Sequence, residues 1–228
     1  MLFRSLDVEV SPGVHRVRTD GGDVLARSVV IASGAAYRKL GVEPLEDLVG
    51  AGVYYGAAMT AAREMEGLDV YVVGGGNSAG QAAVHLARFA RSVTIVVRRE
   101  GLEATMSSYL ISEIHHNPRI SVRPRTVVSD GGGEGRLAWL DLTSSDGAHT
   151  ERVAAGGLFL LLGASPCSDW LPPAVAVDED GFVLTGRDVP RESWDGDLPP
   201  ASLATSVPDI FAAGDVRSGS MKRVAAAS

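Results

Sequence analysis

The sequence predicts an α/β fold built around a Rossmann-like dinucleotide-binding unit, and three observations carry the prediction. Residues 70–73 (VYVV) are a short apolar run of the kind a buried parallel strand needs, and the run ends in Gly74-Gly75-Gly76. A helical stripe follows: Ala79, Ala82, Ala83, Leu86, Ala87 and Ala90 recur at the spacing of one helix face, while Gln81, His85 and Arg88 occupy the other. A second β-branched run, residues 93–97, then ends at Arg98-Arg99. Strand, glycine turn, amphipathic helix and strand within about 30 residues make one βαβ unit.

The remaining elements follow in chain order. Residues 8–10 and 14–18 are strand runs punctuated by Ser11-Pro12-Gly13 and Thr19-Asp20-Gly21-Gly22, which predicts a small β-meander. Residues 28–35 read as a buried strand whose small-residue end lets something approach its backbone. Residues 37–55 mix Pro, Gly and charge and are expected to be a connection. Beyond the βαβ unit a helix opens near Ser107 or Ser108, both natural N-caps, and stops before Asn117-Pro118. Residues 120–128, 137–143 and 158–162 are strand runs separated by Gly131-Gly132-Gly133 and Asp146-Gly147 turns. Residues 188–208 are loop, Phe211-Ala212-Ala213-Gly214-Asp215 is a strand end, and residues 221–227 begin a helix.

Composition bounds what such a fold can do. With 45% hydrophobic and 21% charged residues over 228 positions, the chain is neither disordered nor fibrous, and it can bury one large core or two small ones. Twenty-one Lys and Arg against 28 Asp and Glu leave a net charge of −7, so nucleic acid and anionic membranes are not expected partners and any basic site must be local. Cys167 is the single cysteine, which excludes an intrachain disulfide and a cysteine-rich zinc site. No metal site is expected. The start resembles no leader, and the longest apolar stretch, residues 158–164, falls short of the ~18 residues of a membrane span. A cytoplasmic location follows as the expectation.

Gly74, Gly76 and Ala79 form a GxGxxA pattern placed where a dinucleotide needs it. Gly74 permits the tight turn, Gly76 lets a pyrophosphate approach the backbone, and Ala79 keeps helix and strand close. The helix start, Asn77 and Ser78, offers free N–H groups and a favourable dipole to phosphate. The competing reading is a plain structural turn. Arg98 lies 22 positions after Gly76, where an acidic residue would bind the ribose hydroxyl of NAD; Arg98 and Arg99 instead suit the extra phosphate of NADP. A solvated arginine pair is the alternative.

Five strings, VVIASGAAYRKL, GVYYGAAMTAA, VVGGGNSAGQAAVHLA with VVRRE, FLLLGASP and TSVPDIFAAGDVRSGSMKRVAAA, occur in order between residues 28 and 227. In order and spacing they resemble the thioredoxin reductase type of pyridine nucleotide-disulfide oxidoreductase, including reductase-like proteins fused behind a sensor or receiver module. The resemblance implies a Rossmann-like NADPH domain, residues 49–166, inserted in a partial FAD-binding domain of the three-layer ββα type, residues 1–48 and 167–228. It implies FAD and NADPH as cofactors. Ser33 stands where the family has Thr, and Gly34, Gly163, Gly214 and Asp215 join the cofactor-binding residues, the Asp215 carboxylate accepting hydrogen bonds from the flavin's ribityl hydroxyls. Lys222 and Arg223 fall where the family's last helix passes the flavin, although surface charges are nearly as good a reading. A fused or separate sensor or electron-acceptor protein and a homodimer complete the implied partners.

Two departures qualify the resemblance. The family's CxxC pair falls at Gly56 and Met59, and neither is cysteine. A relay through a disulfide needs an attacking thiolate and a resolving partner. Nothing before residue 26 matches the family's first strand-GxGxxG-helix, so the chain is expected to be an internal piece of a longer flavoprotein. The expected function is therefore hydride transfer from NADPH to flavin and on to an unidentified acceptor, with no catalytic side chain. An NADPH-binding sensor module, or an inactive fragment, is the alternative. His85, His115 and His116 read as surface residues, Ser107 and Ser108 lack a triad context, Ser78 suits phosphate better than catalysis, and Trp139, Trp170 and Trp194 are too scattered to form a stacking platform.

Overall fold

The computed structural model describes residues 4–56 and 59–220, which form an α/β fold of two compact units, Met1–Ala36 with Ala164–Ser228, and Tyr37–Gly163. In the first unit β1 (Ser5–Glu9), β2 (His15–Thr19) and β3 (Gly22–Ala26) make the expected meander, with Val8 facing Val17 and Val17 facing Val24. The run at residues 28–35 is not one buried strand. It yields only β4 (Val29–Ile31), with Val30 64% exposed, and then β5 (Ala35–Tyr37), because Gly34 takes a left-handed φ of 73° between them.

The second unit begins where a connection was expected. A short helix, α1 (Glu43–Glu46), and a strand, β6 (Val53–Tyr55), occupy residues 37–55. Then come β7 (Asp69–Val73), α2 (Asn77–Leu86), β8 (Ser92–Val96), α3 (Ser108–His116) and β9 (Ile120–Arg123). The expected single strand at 120–128 breaks after Arg123. Pro124 has no N–H to give a ladder and Arg125 adopts φ 50°, so the chain leaves the sheet and starts β10 (Thr126–Gly132). That strand pairs antiparallel with β11 (Trp139–Ser144), which pairs with β12 (Thr150–Ala154), a strand with no clear sequence signal. Gly131 and Gly132 are strand residues rather than turn: a Cβ on Gly131 would lie 2.6 Å from Leu45 and 2.8 Å from Leu140. Finally β13 (Gly157–Leu160) returns to the sheet, whose order is β6-β13-β7-β8-β9, parallel throughout.

Both faces of that sheet are covered, as a parallel sheet requires. Alternation along β7 sends Val70 and Val72 toward α2 and α3, where Ala79, Ala83, Leu86, Ile95, Leu110 and Phe159 are buried. Tyr71 and Val73 point the other way, against Leu45, Leu48, Leu140 and Leu158 and the β10-β11-β12 meander. Helix pair, parallel sheet and meander are thus three layers. Leu45 and Leu48 pack into this core, and the second compact unit accordingly begins at Tyr37.

The first unit resumes with β14 (Ala164–Pro166), which pairs with β5, and β15 (Ile210–Ala212), which pairs parallel with β4. Its core holds Val8, Ile31, Val183, Ile210 and Val216. Trp170 and Trp194 donate their indole N–H to the carbonyls of Cys167 (3.0 Å) and Val189 (2.9 Å). Residues 221–227, Lys222 and Arg223 included, lie outside the described residues.

Candidate dinucleotide-binding site

In the second unit the chain runs from β7 outward to β8 and β9 on one side, while β13 lies on the other, so strand order reverses between β7 and β13. In open α/β sheets ligands bind beyond the carboxyl ends of the strands at such a reversal. Gly74 sits there. Its N–H donates to the Val96 carbonyl (3.2 Å), and the Leu161 N–H donates to the Val73 carbonyl just before it (2.8 Å). At φ 143° a Cβ on Gly74 would meet the Leu161 carbonyl oxygen at 2.5 Å and the Ala79 methyl at 3.3 Å. Only glycine fits.

Gly76 is the N-cap of α2, and its carbonyl accepts from the N–H groups of Ala79 (3.0 Å) and Gly80 (3.2 Å). The amides of Asn77 and Ser78, ahead of them, are among those a helix leaves without intrahelical partners. Both residues are exposed, whereas Ala79 and Gly80 are buried. A Cβ on Gly80 would come 2.9 Å from Met106 Sδ and 3.4 Å from Leu110, which shows how closely α2 approaches the start of α3. The loop between β8 and α3 is latched onto the glycine turn. Thr105 Oγ1 donates to the Gly75 carbonyl (2.8 Å), and the Ser107 N–H donates to Asn77 Oδ1 (2.8 Å). The Asn77 side chain thus commits its oxygen to the loop. Thr105 carried no motif and went unread; its signal is a hydroxyl two residues ahead of the helix cap.

Arg98 and Arg99 follow the end of β8 with their backbone anchored: Ser145 Oγ donates to the Arg98 carbonyl (3.2 Å) and the Arg125 N–H to the Arg99 carbonyl (2.8 Å). Both side chains are exposed, and among the described residues neither guanidinium has a hydrogen-bond or ion-pair partner. Arg125 is different, since Glu100 holds it at 2.6 Å. Gly163 has φ 83°, and its carbonyl accepts from the Arg38 N–H (3.1 Å).

Two hydrogen bonds from Arg91 hold the Asp69 carboxyl below its ordinary range, with Ser92 adding a third at 2.7 Å. Burial pushes the Tyr71 phenol up. Neither is placed to serve a ligand at the glycine turn.

In the first unit, paired β4 and β15 run parallel, and the Ala213 N–H donates to the Ile31 carbonyl (2.9 Å). Gly34 and Gly214, both at φ 73°, therefore leave the carboxyl ends of neighbouring strands. The Gly34 carbonyl accepts from the Cys167 N–H (3.0 Å), and Ser33 Oγ donates to the Cys167 carbonyl (2.6 Å). Asp215 is half-buried beside Gly214 and accepts from Ser220 Oγ at 3.3 Å. Among the described residues no three His, Cys, Asp or Glu converge as a metal site, and no helix is long and apolar enough to cross a membrane.

A parallel sheet with a glycine turn and a helix start at its reversal point is the arrangement that dinucleotide-binding α/β folds share. The chain belongs to the pyridine nucleotide-disulphide oxidoreductase family, whose model matches residues 4–228, and it is of the thioredoxin reductase-like type within that family of oxidoreductases. It is 29% identical to a thioredoxin reductase of Peptoclostridium acidaminophilum over its whole length and 69% of that protein. Against a thioredoxin reductase of Streptomyces clavuligerus it is 31% identical, over 92% of this chain and 61% of the relative. The crystal structure of thioredoxin reductase from Streptococcus pyogenes MGAS5005 superposes with a TM-score of 0.76 at 28% identity, covering 99% of this chain and 68% of that one. The chain thus spans between 61% and 69% of these relatives.

Proposed function

We propose that this chain carries the NADPH-binding domain and part of the FAD-binding domain of a flavoprotein reductase that passes electrons from flavin to an acceptor, with no redox disulfide in this chain. The observation that carries the proposal is the glycine turn at the reversal point, with two arginines at the end of the adjacent strand whose guanidiniums have no partner among the described residues. Its residues fit a dinucleotide. Gly74 and Gly76 admit the pyrophosphate to the backbone, Ala79 keeps α2 against the sheet, and the Asn77 and Ser78 amides donate to phosphate oxygens. Arg98 and Arg99 would grip the 2′-phosphate through paired N–H donors and so favour NADPH over NADH.

Toward the flavin, Gly34 and Gly214 offer an open backbone at adjacent strand ends, and Asp215 offers an acceptor-only carboxylate to ribityl hydroxyls. Gly163, and Lys222 and Arg223 beyond the described residues, are proposed with them on the family resemblance. Hydride transfer is chemistry the bound nicotinamide and flavin supply; the chain binds, orients and shields them from water. With one cysteine, Cys167, no disulfide can form within the chain, so Gly56 and Met59 leave the family's usual relay without thiols.

The test is the visible spectrum of the chain refolded with FAD, before and after anaerobic NADPH. Bleaching of a flavin band by NADPH and far less by NADH is expected. Arg98→Gln with Arg99→Gln should raise the NADPH concentration needed roughly 10-fold or more while leaving NADH unchanged. A colourless protein that still binds NADPH would overturn the reductase assignment and leave a nucleotide-binding module.

A further inference from the structure

The chain's net charge is −7, yet one open cleft of the second unit, about 730 Å³ in volume, is lined by Arg63, Arg88, Arg91 and Arg119, with Glu66 and Phe89 on its wall. It lies at the beginning of the strands, since Asp69 opens β7, Ser92 opens β8 and Arg119 precedes β9. The glycine turn lies at their carboxyl ends, about 16 Å away along β7 at ~3.3 Å per residue. The two features are therefore separate.

Two of the four arginines are held in place. Arg91 grips Asp69 through both ends of its fork, Nε to Oδ1 at 2.9 Å. Arg119 Nη1 donates to the carbonyls of Ala87 (3.3 Å) and Ala90 (3.5 Å), covering the negative end of α2. Each keeps further N–H donors, because a guanidinium has five. Arg63 and Arg88 are exposed, and among the described residues no hydrogen bond or ion pair engages either guanidinium. Against four cations the lining sets one carboxylate, Glu66, while Asp69, outside the lining, is committed to Arg91. Four guanidiniums gathered with two forks unsatisfied are more positive charge than the packing uses.

The geometry points to a second binding site, distinct from the dinucleotide turn, for a compact ligand carrying two or more phosphate groups. Guanidinium forks match phosphate oxygens pairwise, the immobilised Arg91 and Arg119 lose little freedom on binding, and the volume falls in the ~300–1,000 Å³ range of small-molecule sites. Inorganic pyrophosphate is the probe. Calorimetric titration of the whole chain at low ionic strength should give saturable binding that Arg63→Gln with Arg88→Gln weakens about tenfold or more and Glu66→Gln tightens. NADPH affinity and melting temperature should stay unchanged in both variants, whose altered side chains are exposed. Absence of saturable binding to the unaltered chain overturns the proposal. So does equal affinity in the double arginine variant, which would place pyrophosphate elsewhere, the glycine turn included.

Discussion

Gly74 is where residue identity matters most. A methyl there meets the Leu161 carbonyl at 2.5 Å on backbone that already has φ 143°, so Gly74→Ala forces β7 and β13 apart at the reversal point. We expect a loss of about 2–4 kcal/mol in urea unfolding, together with loss of NADPH binding in fluorescence titration. Asp69 gives a pH signature. Its hydrogen bonds from Arg91 lower the folded carboxyl's pKa below the ordinary value of 3.8, so its contribution to stability is present above that value and fades as pH falls through the folded one. Asp69→Asn should therefore lower the unfolding midpoint at neutral pH and converge with the unaltered chain in acid. With Arg91 66% exposed, solvent screens the pair and the gap should be small.

At the scale of elements, the latch between the β8–α3 loop and the glycine turn turns two helix starts into one wall. Thr105→Val removes the hydroxyl that donates to the Gly75 carbonyl while keeping the side chain's volume. A hydrogen bond of about 1 kcal/mol predicts roughly fivefold weaker NADPH binding, restored by Thr105→Ser, with little change in melting temperature because the loop is exposed. Equal affinity in all three proteins would show that the latch does not shape the site. Helix α1 acts differently, through packing: Leu45 is 1% exposed and seals the meander against the sheet beside Gly131.

For the whole molecule, the compact unit Tyr37–Gly163 has both faces of its sheet covered by its own residues. Residues 37–163 expressed alone should fold cooperatively and bind NADPH. Residues 49–166 lack Leu45 and Leu48 and should lose several kcal/mol of stability, by analogy with core truncations of about 2–5 kcal/mol per large side chain. Circular dichroism melts of the two pieces decide it, and equal melting temperatures would refute the role given to α1.

By itself the sequence determined the βαβ unit, the glycine turn, the arginine pair after β8 and the want of a second thiol, because each rests on local periodicity, on glycine stereochemistry or on a count. The cap of α3 at Ser107 and its stop before Pro118 were legible for the same reason. What only the tertiary structure decided depends on partners distant in the chain. Residues 53–55 read as connection because three residues carry no period, and they become a strand only by lying beside Leu158, Phe159 and Leu160. Gly131 and Gly132 read as a turn, yet they are glycine because Leu45, Leu140 and Trp139 occupy the space a side chain would take. Thr105 became part of the site, and four scattered arginines became one cleft, through chain reversals that no window of sequence contains. Close packing sets such contacts in three dimensions, while periodicity records only which face of an element is buried.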